Sequence, residues 1–103
     1  MLFRSGGFKL LEPAADLSVA LALVSSLKDA VVREDILAFG EIGLAGEIRS
    51  VSHCEQRIKE AKRLGFKRVI IPKDNLRSVS KETMRDIEIV GVQFISQAYE
   101  ATI

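Results

Sequence analysis

The sequence is poor in the residues that build disulfides and metal centres. Its 103 residues include one cysteine, Cys54, and one histidine, His53. A single cysteine cannot form an intramolecular disulfide, and one adjacent histidine and cysteine do not supply the four ligands of a tetrahedral zinc site. We therefore expect neither a disulfide framework nor a metal or other cofactor in this domain. Cys54 is predicted to be a small buried hydrophobe, and the compartment to be reducing and cytoplasmic.

Long apolar runs and an excess of one charge are also missing. The longest apolar run, residues 19–24, is far shorter than the roughly 20 residues that span a bilayer, so no membrane contact is expected. The formal net charge is +1. A chain so close to neutrality does not attract polyanions as a whole, and a nucleic-acid partner would have to bind a local basic patch.

Several catalytic motifs are absent. Gly40, Gly43 and Gly46 lack the following Lys-Ser/Thr that completes a phosphate-binding loop. The chain has no Gly-x-Ser-x-Gly nucleophile elbow, and a serine triad would have to use His53. We interpret His53 as a solvated residue at the start of a helix.

The elements that are present predict an α+β fold with mixed α/β layers. A helix over residues 14–28 is apolar almost all round, so we expect it to be central and buried on more than one side. The predicted strands are 8–11, 36–42, 48–51, 68–72 and 87–92. The other predicted helices are 52–64 and 93–101, with short helical turns over 74–85 capped by Ser78 or Ser80. Residues 1–103 are predicted to form a single domain, in which residues 1–6 are either a linker or, through Leu2 and Phe3, the start of the first strand.

The stretch from Gly40 to Gly65 carries the clearest local signals. Ser52 and Glu55 have the spacing of a capping box, in which each side chain accepts a hydrogen bond from the other residue's amide. Gly65 stands where a left-handed C-terminal cap belongs. Gly43 and Gly46 predict a tight turn between two strands.

Basic residues crowd this second helix and its exit. A solvated face that complements the helix dipole explains much of the pattern, and contact with nucleic-acid phosphates is the alternative. The candidate DNA-binding residues are Arg57, Lys59, Lys62, Arg63, Lys67 and Arg68.

The chain resembles the proteolytic domain of Lon proteases. The shared features are the helix after Pro13, a Gly-Glu-Ile-x-Leu-x-Gly stretch at residues 40–46, the second helix, and Gly-x-Lys-x-Val-Ile-Ile-Pro-Lys at residues 65–73. The resemblance implies the Lon proteolytic fold, which is related to domain 2 of ribosomal protein S5. In Lon enzymes a serine nucleophile and a lysine base occupy the positions of Ala14 and Glu55. A methyl group cannot attack a peptide, and a carboxylate that serves as a helix cap is already occupied, so we expect no proteolysis.

Longer strings resemble the Lon-like C-terminal domain of a family of bacterial DNA repair proteins. They are GGFKLLEPAADLSVALA at residues 6–22, FGEIGLAGEIR at 39–49 and RIKEAKRLGFKR at 57–68. The resemblance implies a parent protein with a zinc finger and a RecA-like ATPase, which would bring zinc, ATP and magnesium in domains outside this chain. It also implies a hexameric ring and a basic surface that faces branched or duplex DNA during recombination.

Three functions stay open on the sequence alone. The leading one is a non-proteolytic scaffold that assembles the ring and binds DNA. The second is a Lon-related serine peptidase with residual activity, which would have to use Ser18 or Cys54 as its nucleophile. The third is an oligomerisation domain with no ligand.

Overall fold

A three-stranded parallel sheet organises the structure, a computed structural model that describes residues 13–29 and 34–103. Its strands are β1 (Ile36–Ala38), β4 (Arg68–Pro72) and β5 (Glu88–Val92), in the order β1-β4-β5. A two-stranded antiparallel hairpin adds β2 (Glu41–Ile42) and β3 (Ile48–Arg49). The helices are α1 (Asp16–Lys28), α2 (Cys54–Arg63) and α3 (Ile95–Glu100). None of these helices in the described ranges is long and apolar enough to cross a membrane. The mixture of helices and strands confirms the predicted α+β class.

The central strand β4 separates two apolar clusters. Because successive strand side chains point to opposite faces, Ile70 joins one cluster while Val69 and Ile71 join the other. Leu17 and Leu21 of α1 lie with Ile70, and Ile58 of α2 lies with Val69 and Ile71. All six side chains are fully buried, and burying an aliphatic side chain of this size contributes about 1.5–3 kcal/mol. The helices therefore cover the sheet from both sides.

The single strand predicted over residues 36–42 is wrong. The chain leaves the parallel sheet after Ala38 and joins the hairpin at Glu41. The Gly40 amide donates to the Ala14 carbonyl at 2.9 Å, and the Gly40 carbonyl accepts from the Leu17 amide at 3.0 Å. A side chain at Gly40 would also place its Cβ 2.8 Å from Ile48 Cγ2. The approach of this backbone to the start of α1 ends the first strand.

The glycine turn between β2 and β3 confirms the predicted hairpin. Gly46 has a φ of 81°, in the left-handed region that favours glycine. The Gly43 amide donates to the Glu47 carbonyl at 2.9 Å, and the Ala45 amide donates to Glu47 Oε1 at 3.0 Å. The Glu47 side chain also pairs with Arg49 at 3.2 Å. The predicted strand 48–51 is shorter in the structure, since only Ile48 and Arg49 pair with β2.

Of the two caps predicted for α2, the structure contains the one at the C-terminus and lacks the one at the N-terminus. At the C-terminus, Gly65 has a φ of 91°. The Gly65 amide donates to the Lys62 carbonyl and the Phe66 amide donates to the Ala61 carbonyl, which together form the Schellman pattern. The predicted left-handed cap is confirmed. At the N-terminus the cap residue is His53, with a φ of 57° and no side-chain capping hydrogen bond. The predicted capping box of Ser52 and Glu55 is wrong, because the Glu55 carboxylate is bound elsewhere.

The first helix is less buried than its composition predicts. A 3₁₀ turn at Pro13–Ala15 precedes α1, whose buried residues include Leu17 and Leu21. Val19, Leu23 and Leu27 are 39%, 60% and 86% exposed. The prediction that this helix is buried on more than one side is therefore wrong for this structure. The three exposed residues recur every fourth position and form one apolar stripe along α1.

The C-terminal third follows the predicted order. A 3₁₀ segment, Lys73–Ser78, follows β4, and β5 and α3 occupy most of the predicted ranges 87–92 and 93–101. Ser80 Oγ accepts a hydrogen bond from the Thr83 amide, which confirms Ser80 as the cap of a helical turn. The Ser78 hydroxyl instead donates back to the Asn75 carbonyl. The predicted strand 8–11 and linker 1–6 lie outside the described residues.

Candidate functional site

Glu55, which the Lon resemblance aligns with the catalytic lysine, is bound to two hydroxyl groups. The Ser80 and Thr83 hydroxyls each donate to Glu55 Oε1 at 2.7 Å. The bond from Ser80, followed by the bond from Thr83, holds the pKa of Glu55 below its ordinary value. A carboxylate that is stabilised in its ionised form is a weak general base. The arrangement suits Glu55 to fasten two segments of chain rather than to activate a nucleophile.

Ala14, which the Lon resemblance aligns with the catalytic serine, belongs to the backbone contact between the 3₁₀ turn and Gly40. Its side chain is buried, and its carbonyl accepts the Gly40 amide at 2.9 Å. A methyl group offers no lone pair for attack on a carbonyl carbon. The position therefore contributes packing and a backbone acceptor.

The two alternative nucleophiles are both buried. Ser18 is 2% exposed, and its hydroxyl donates to the Ala15 carbonyl at 2.9 Å. Cys54 is 4% exposed, and desolvation by burial raises the pKa of its thiol to about 11. A thiol with this pKa is protonated at neutral pH and is a poor nucleophile. Neither side chain has the exposure or ionisation that the residual-peptidase hypothesis requires.

Residues 80–86 form a helical turn beside α2, which we call the 80–86 turn. The Met84 amide donates to the Ser80 carbonyl at 3.1 Å, and the Arg85 amide donates to the Glu82 carbonyl at 3.2 Å. Lys62 Nζ reaches the carbonyls of Thr83 at 3.1 Å and Glu82 at 3.5 Å. Glu55 and Lys62 thus both attach the turn to α2, Glu55 through the hydroxyls of Ser80 and Thr83 and Lys62 through two backbone carbonyls.

Asn75 attaches the preceding 3₁₀ segment to the entrance of α2. Its Oδ1 accepts the Val51 amide at 2.9 Å, and its Nδ2 donates to the Val51 carbonyl at 3.0 Å. Asn75 is 7% exposed. Both polar atoms of a buried amide are therefore paired with one residue of backbone, which fixes the two segments relative to each other.

Four of the six candidate DNA-binding residues are engaged in contacts within the protein, and Lys62, bound to the carbonyls of the 80–86 turn, is one of them. Arg57 Nε donates to the Ser52 carbonyl at 3.0 Å, and its guanidinium lies 6.0 Å from the centre of the Phe39 ring. Arg63 forms an ion pair with Glu60. Arg68 pairs with Glu88 at 2.8 Å and donates to the Ala101 carbonyl at 2.7 Å, with 16% of its side chain exposed. These contacts stabilise the fold and reduce the charge offered to a ligand.

Lys59 and Lys67 are the candidates that offer charge to solvent. Both residues are exposed, and no ion pair in residues 13–29 and 34–103 includes either of them. Lys59 follows Glu55 by four residues in α2, so the two lie on the same flank of the helix, the one that faces the 80–86 turn. Arg57 binds the backbone before α2 and Phe39, on the other flank. The structure thus divides the six residues between different surfaces.

Sequence reasoning missed the partners of Glu55, although it identified Ser80 as a cap. The two hydroxyls lie 25 and 28 residues from Glu55, and no local pattern links residues at such separations.

For a metal centre, no cluster of three or more His, Cys, Asp or Glu side chains occurs in the part of the chain that the structure describes.

Comparison with known proteins defines the class to which this fold belongs. Residues 6–103 match the family model of the Lon protease (S16) C-terminal proteolytic domain. The chain belongs to this family. Its match to the family confirms the resemblance drawn from the motifs around Ala14 and Gly40.

The similar curated proteins are DNA repair proteins named RadA. The chain is 46% identical to RadA of Listeria monocytogenes over 97 residues, which is 94% of the chain and 21% of that protein. It is 50% identical to RadA of Aquifex aeolicus over 97 residues, or 93% of the chain and 20% of that protein. With RadA of Escherichia coli the identity is 46% over 93 residues, or 90% of the chain and 20% of that protein. The chain spans about a fifth of the length of these relatives.

Proposed function

We propose that this chain is a non-proteolytic Lon-type domain that acts in DNA repair by binding the phosphate backbone of DNA. One observation carries the proposal: the side chains at both positions that the Lon resemblance assigns to the catalytic dyad are replaced. The chain is also 43–50% identical to DNA repair proteins. Position 14 holds a methyl group, and the acid at position 55 is bound by Ser80 and Thr83. With both catalytic groups replaced, the surface of the domain is the part left to act on a partner.

The charge distribution supports a phosphate ligand. Lys59 lies on the outer part of α2, and Lys67 directly precedes β4. Glu60 and Glu88 already pair with Arg63 and Arg68, so these acids do not neutralise the two lysines. Exposed lysines that attract phosphates displace condensed counterions from DNA, which makes the affinity salt-dependent.

Self-association is the second part of the proposal, and the apolar stripe of α1 supports it. Leu23 and Leu27 are more than half exposed in the single chain. Apolar side chains that recur along one helix face are stabilised when a second surface removes them from water. We propose that a second copy of the chain covers this stripe, in keeping with the ring that the Lon resemblance implies.

Residual peptidase activity is the alternative function, and the side chains argue against it. Ser18 and Cys54 are buried, and the Ser18 hydroxyl already donates a hydrogen bond to a backbone carbonyl. Incubation with an unstructured protein such as casein should give no cleavage products, and a fluorophosphonate probe should not label the chain. Labelling that disappears in Ser18→Ala would establish the peptidase instead.

DNA binding is tested by fluorescence anisotropy with a labelled duplex and the full chain at low salt. The double variant Lys59→Glu/Lys67→Glu should bind more weakly than the wild type. The slope of its log affinity against log salt concentration should be shallower by about one unit per lost phosphate contact. The matched control is Lys73→Glu, which changes an exposed lysine at the opposite end of β4. Equal affinity of the double variant and the wild type would refute the proposed surface.

A further inference from the structure

We propose that the 80–86 turn is a second limb of the DNA-binding surface, that Lys81 and Arg85 bind phosphates, and that Glu55 positions them. This inference rests on the proposed DNA-binding function and extends its surface beyond the helix α2. It assigns a role to two basic residues outside the six candidates and to the acid that replaces the catalytic lysine.

The turn exposes Lys81 and Arg85 and packs its other side chains against the domain. The Met84 amide donates to the Ser80 carbonyl and the Arg85 amide to the Glu82 carbonyl, so the turn tightens to a 3₁₀ spacing at Arg85. Thr83 is 3% exposed, and Met84 packs against the core cluster around Ile58. Both Lys81 and Arg85 are exposed.

The turn runs along the flank of α2 that carries Lys59. Ser80 binds Glu55 in the first turn of α2, and the Thr83 carbonyl binds Lys62 in the last turn. The chain then enters β5, where Glu88 pairs in register with Arg68 of β4. Since Lys67 precedes β4 and its carbonyl accepts the Glu88 amide at 3.0 Å, the turn leads to the same sheet edge. Lys59, Lys67 and the turn therefore border one side of the domain.

Two of the acids near these cations are occupied by other partners. Glu55 is bound by hydroxyl groups, and Glu88 pairs with Arg68. Glu82 and Asp86 are exposed on the same turn. No ion pair within 13–29 and 34–103 joins Lys81 or Arg85 to an acid.

Glu55 gives the proposal a discriminating test. An acid beside a phosphate-binding surface repels DNA, so electrostatics alone predicts that its removal strengthens binding. If Glu55 positions the turn, Glu55→Ala should weaken binding instead, because the two hydroxyls lose their acceptor. Glu55→Gln keeps an oxygen acceptor without the charge, so this conservative variant should bind at least as well as the wild type.

The experiment measures the affinity of the full chain for a labelled duplex over a series of salt concentrations. Lys81→Ala/Arg85→Ala should reduce the slope of log affinity against log salt by about two units, one for each lost phosphate contact. Lys73→Ala serves as the control at the opposite end of β4 and should leave the slope unchanged. Thr83→Val removes one hydroxyl without changing the charge and should weaken binding, which keeps the test available if Glu55→Ala does not fold.

The outcomes separate this inference from the proposed function. If Lys59→Glu/Lys67→Glu weakens binding while Lys81→Ala/Arg85→Ala leaves the salt slope unchanged, the second limb is refuted and the first surface stands. If no variant, including Lys59→Glu/Lys67→Glu, alters the affinity, the proposed function fails as well. Tighter binding by both Glu55→Ala and Glu55→Gln would refute the positioning role of Glu55.

Discussion

The Thr83 hydroxyl donates a 2.7 Å hydrogen bond to Glu55 Oε1 across 28 residues of sequence. With the matching bond from Ser80, it fastens the 80–86 turn to the first turn of α2. In the Lon resemblance this position belongs to a catalytic lysine. The same point of the fold that would activate a nucleophile in a protease holds two surface segments together in this chain.

The stability that Glu55 contributes should depend on pH. Because its folded-state pKa lies below the ordinary value of 4.5, its contribution is present above the unfolded-state pKa and is lost as pH falls through the lowered folded-state value. At neutral pH, Glu55→Gln should therefore unfold at a lower urea concentration than the wild type. The difference between the two should shrink as the solution is acidified below pH 4.5.

Urea unfolding at a series of pH values checks this prediction, and the relevant quantity is the difference between wild type and variant. The lowered pKa values of Glu47 and Glu60 remain in both proteins and cancel in that difference. A difference that stays constant from neutral to acidic pH would contradict the account of Glu55.

Replacing Asn75 should destabilise the fold more than replacing an exposed residue of the same 3₁₀ segment. Asn75→Ala removes both bonds to Val51 and leaves a backbone amide and carbonyl unpaired, which costs about 1–3 kcal/mol. Arg77→Ala, at an exposed neighbouring position, should change the free energy of unfolding by less than about 0.5 kcal/mol. Equal stabilities of the two variants would show that the Asn75 contact contributes nothing.

Cys54 should be inert in the native protein. Its side chain is buried and its pKa is raised to about 11, so the reactive thiolate is scarce at pH 8. An aromatic disulfide reagent such as DTNB should react slowly with the folded chain and rapidly in denaturant. Fast labelling under native conditions would mean that Cys54 is accessible and would revive it as a nucleophile.

The exposed stripe of α1 should control self-association. Leu23→Glu/Leu27→Glu changes two side chains that are 60% and 86% exposed, so the free energy of unfolding of the monomer should change by less than about 1 kcal/mol. Sedimentation velocity over a range of concentrations should show association of the wild type and a monomeric variant. A wild type that stays monomeric at every concentration would refute a second copy as the occupant of the stripe.

The sequence predicted those parts of the fold that depend on local patterns. The β-branched run of residues 68–72 became β4 with the predicted bounds, and Gly65 formed the expected cap. Gly46 likewise adopts the left-handed conformation expected in the hairpin turn. In each case the signal is contained in a few consecutive residues, so no knowledge of distant partners was needed.

The failed predictions depend on contacts between distant residues. The capping box had the correct spacing, but the hydroxyls of the 80–86 turn bind the Glu55 carboxylate instead. The strand over residues 36–42 is interrupted because Gly40 bonds to the start of α1. The burial of α1 was overestimated because composition shows that a helix is apolar without showing how many of its faces the chain covers.

The candidate DNA-binding residues show the same limit. Counting charges along α2 and the residues that follow it gave six equivalent cations, whereas the structure separates them by their partners. Arg63 and Arg68 form ion pairs, and Lys62 binds the carbonyls of the 80–86 turn. The phosphate-binding role of Lys59 and Lys67 stays a prediction.

The most direct test of the central claim is the salt dependence of duplex binding by the wild-type chain. A surface that binds phosphates through Lys59, Lys67, Lys81 and Arg85 predicts a log–log slope of about −3 to −4, near −0.9 for each contact. An affinity that does not change with salt concentration would contradict the claim that this Lon-type domain binds the DNA backbone.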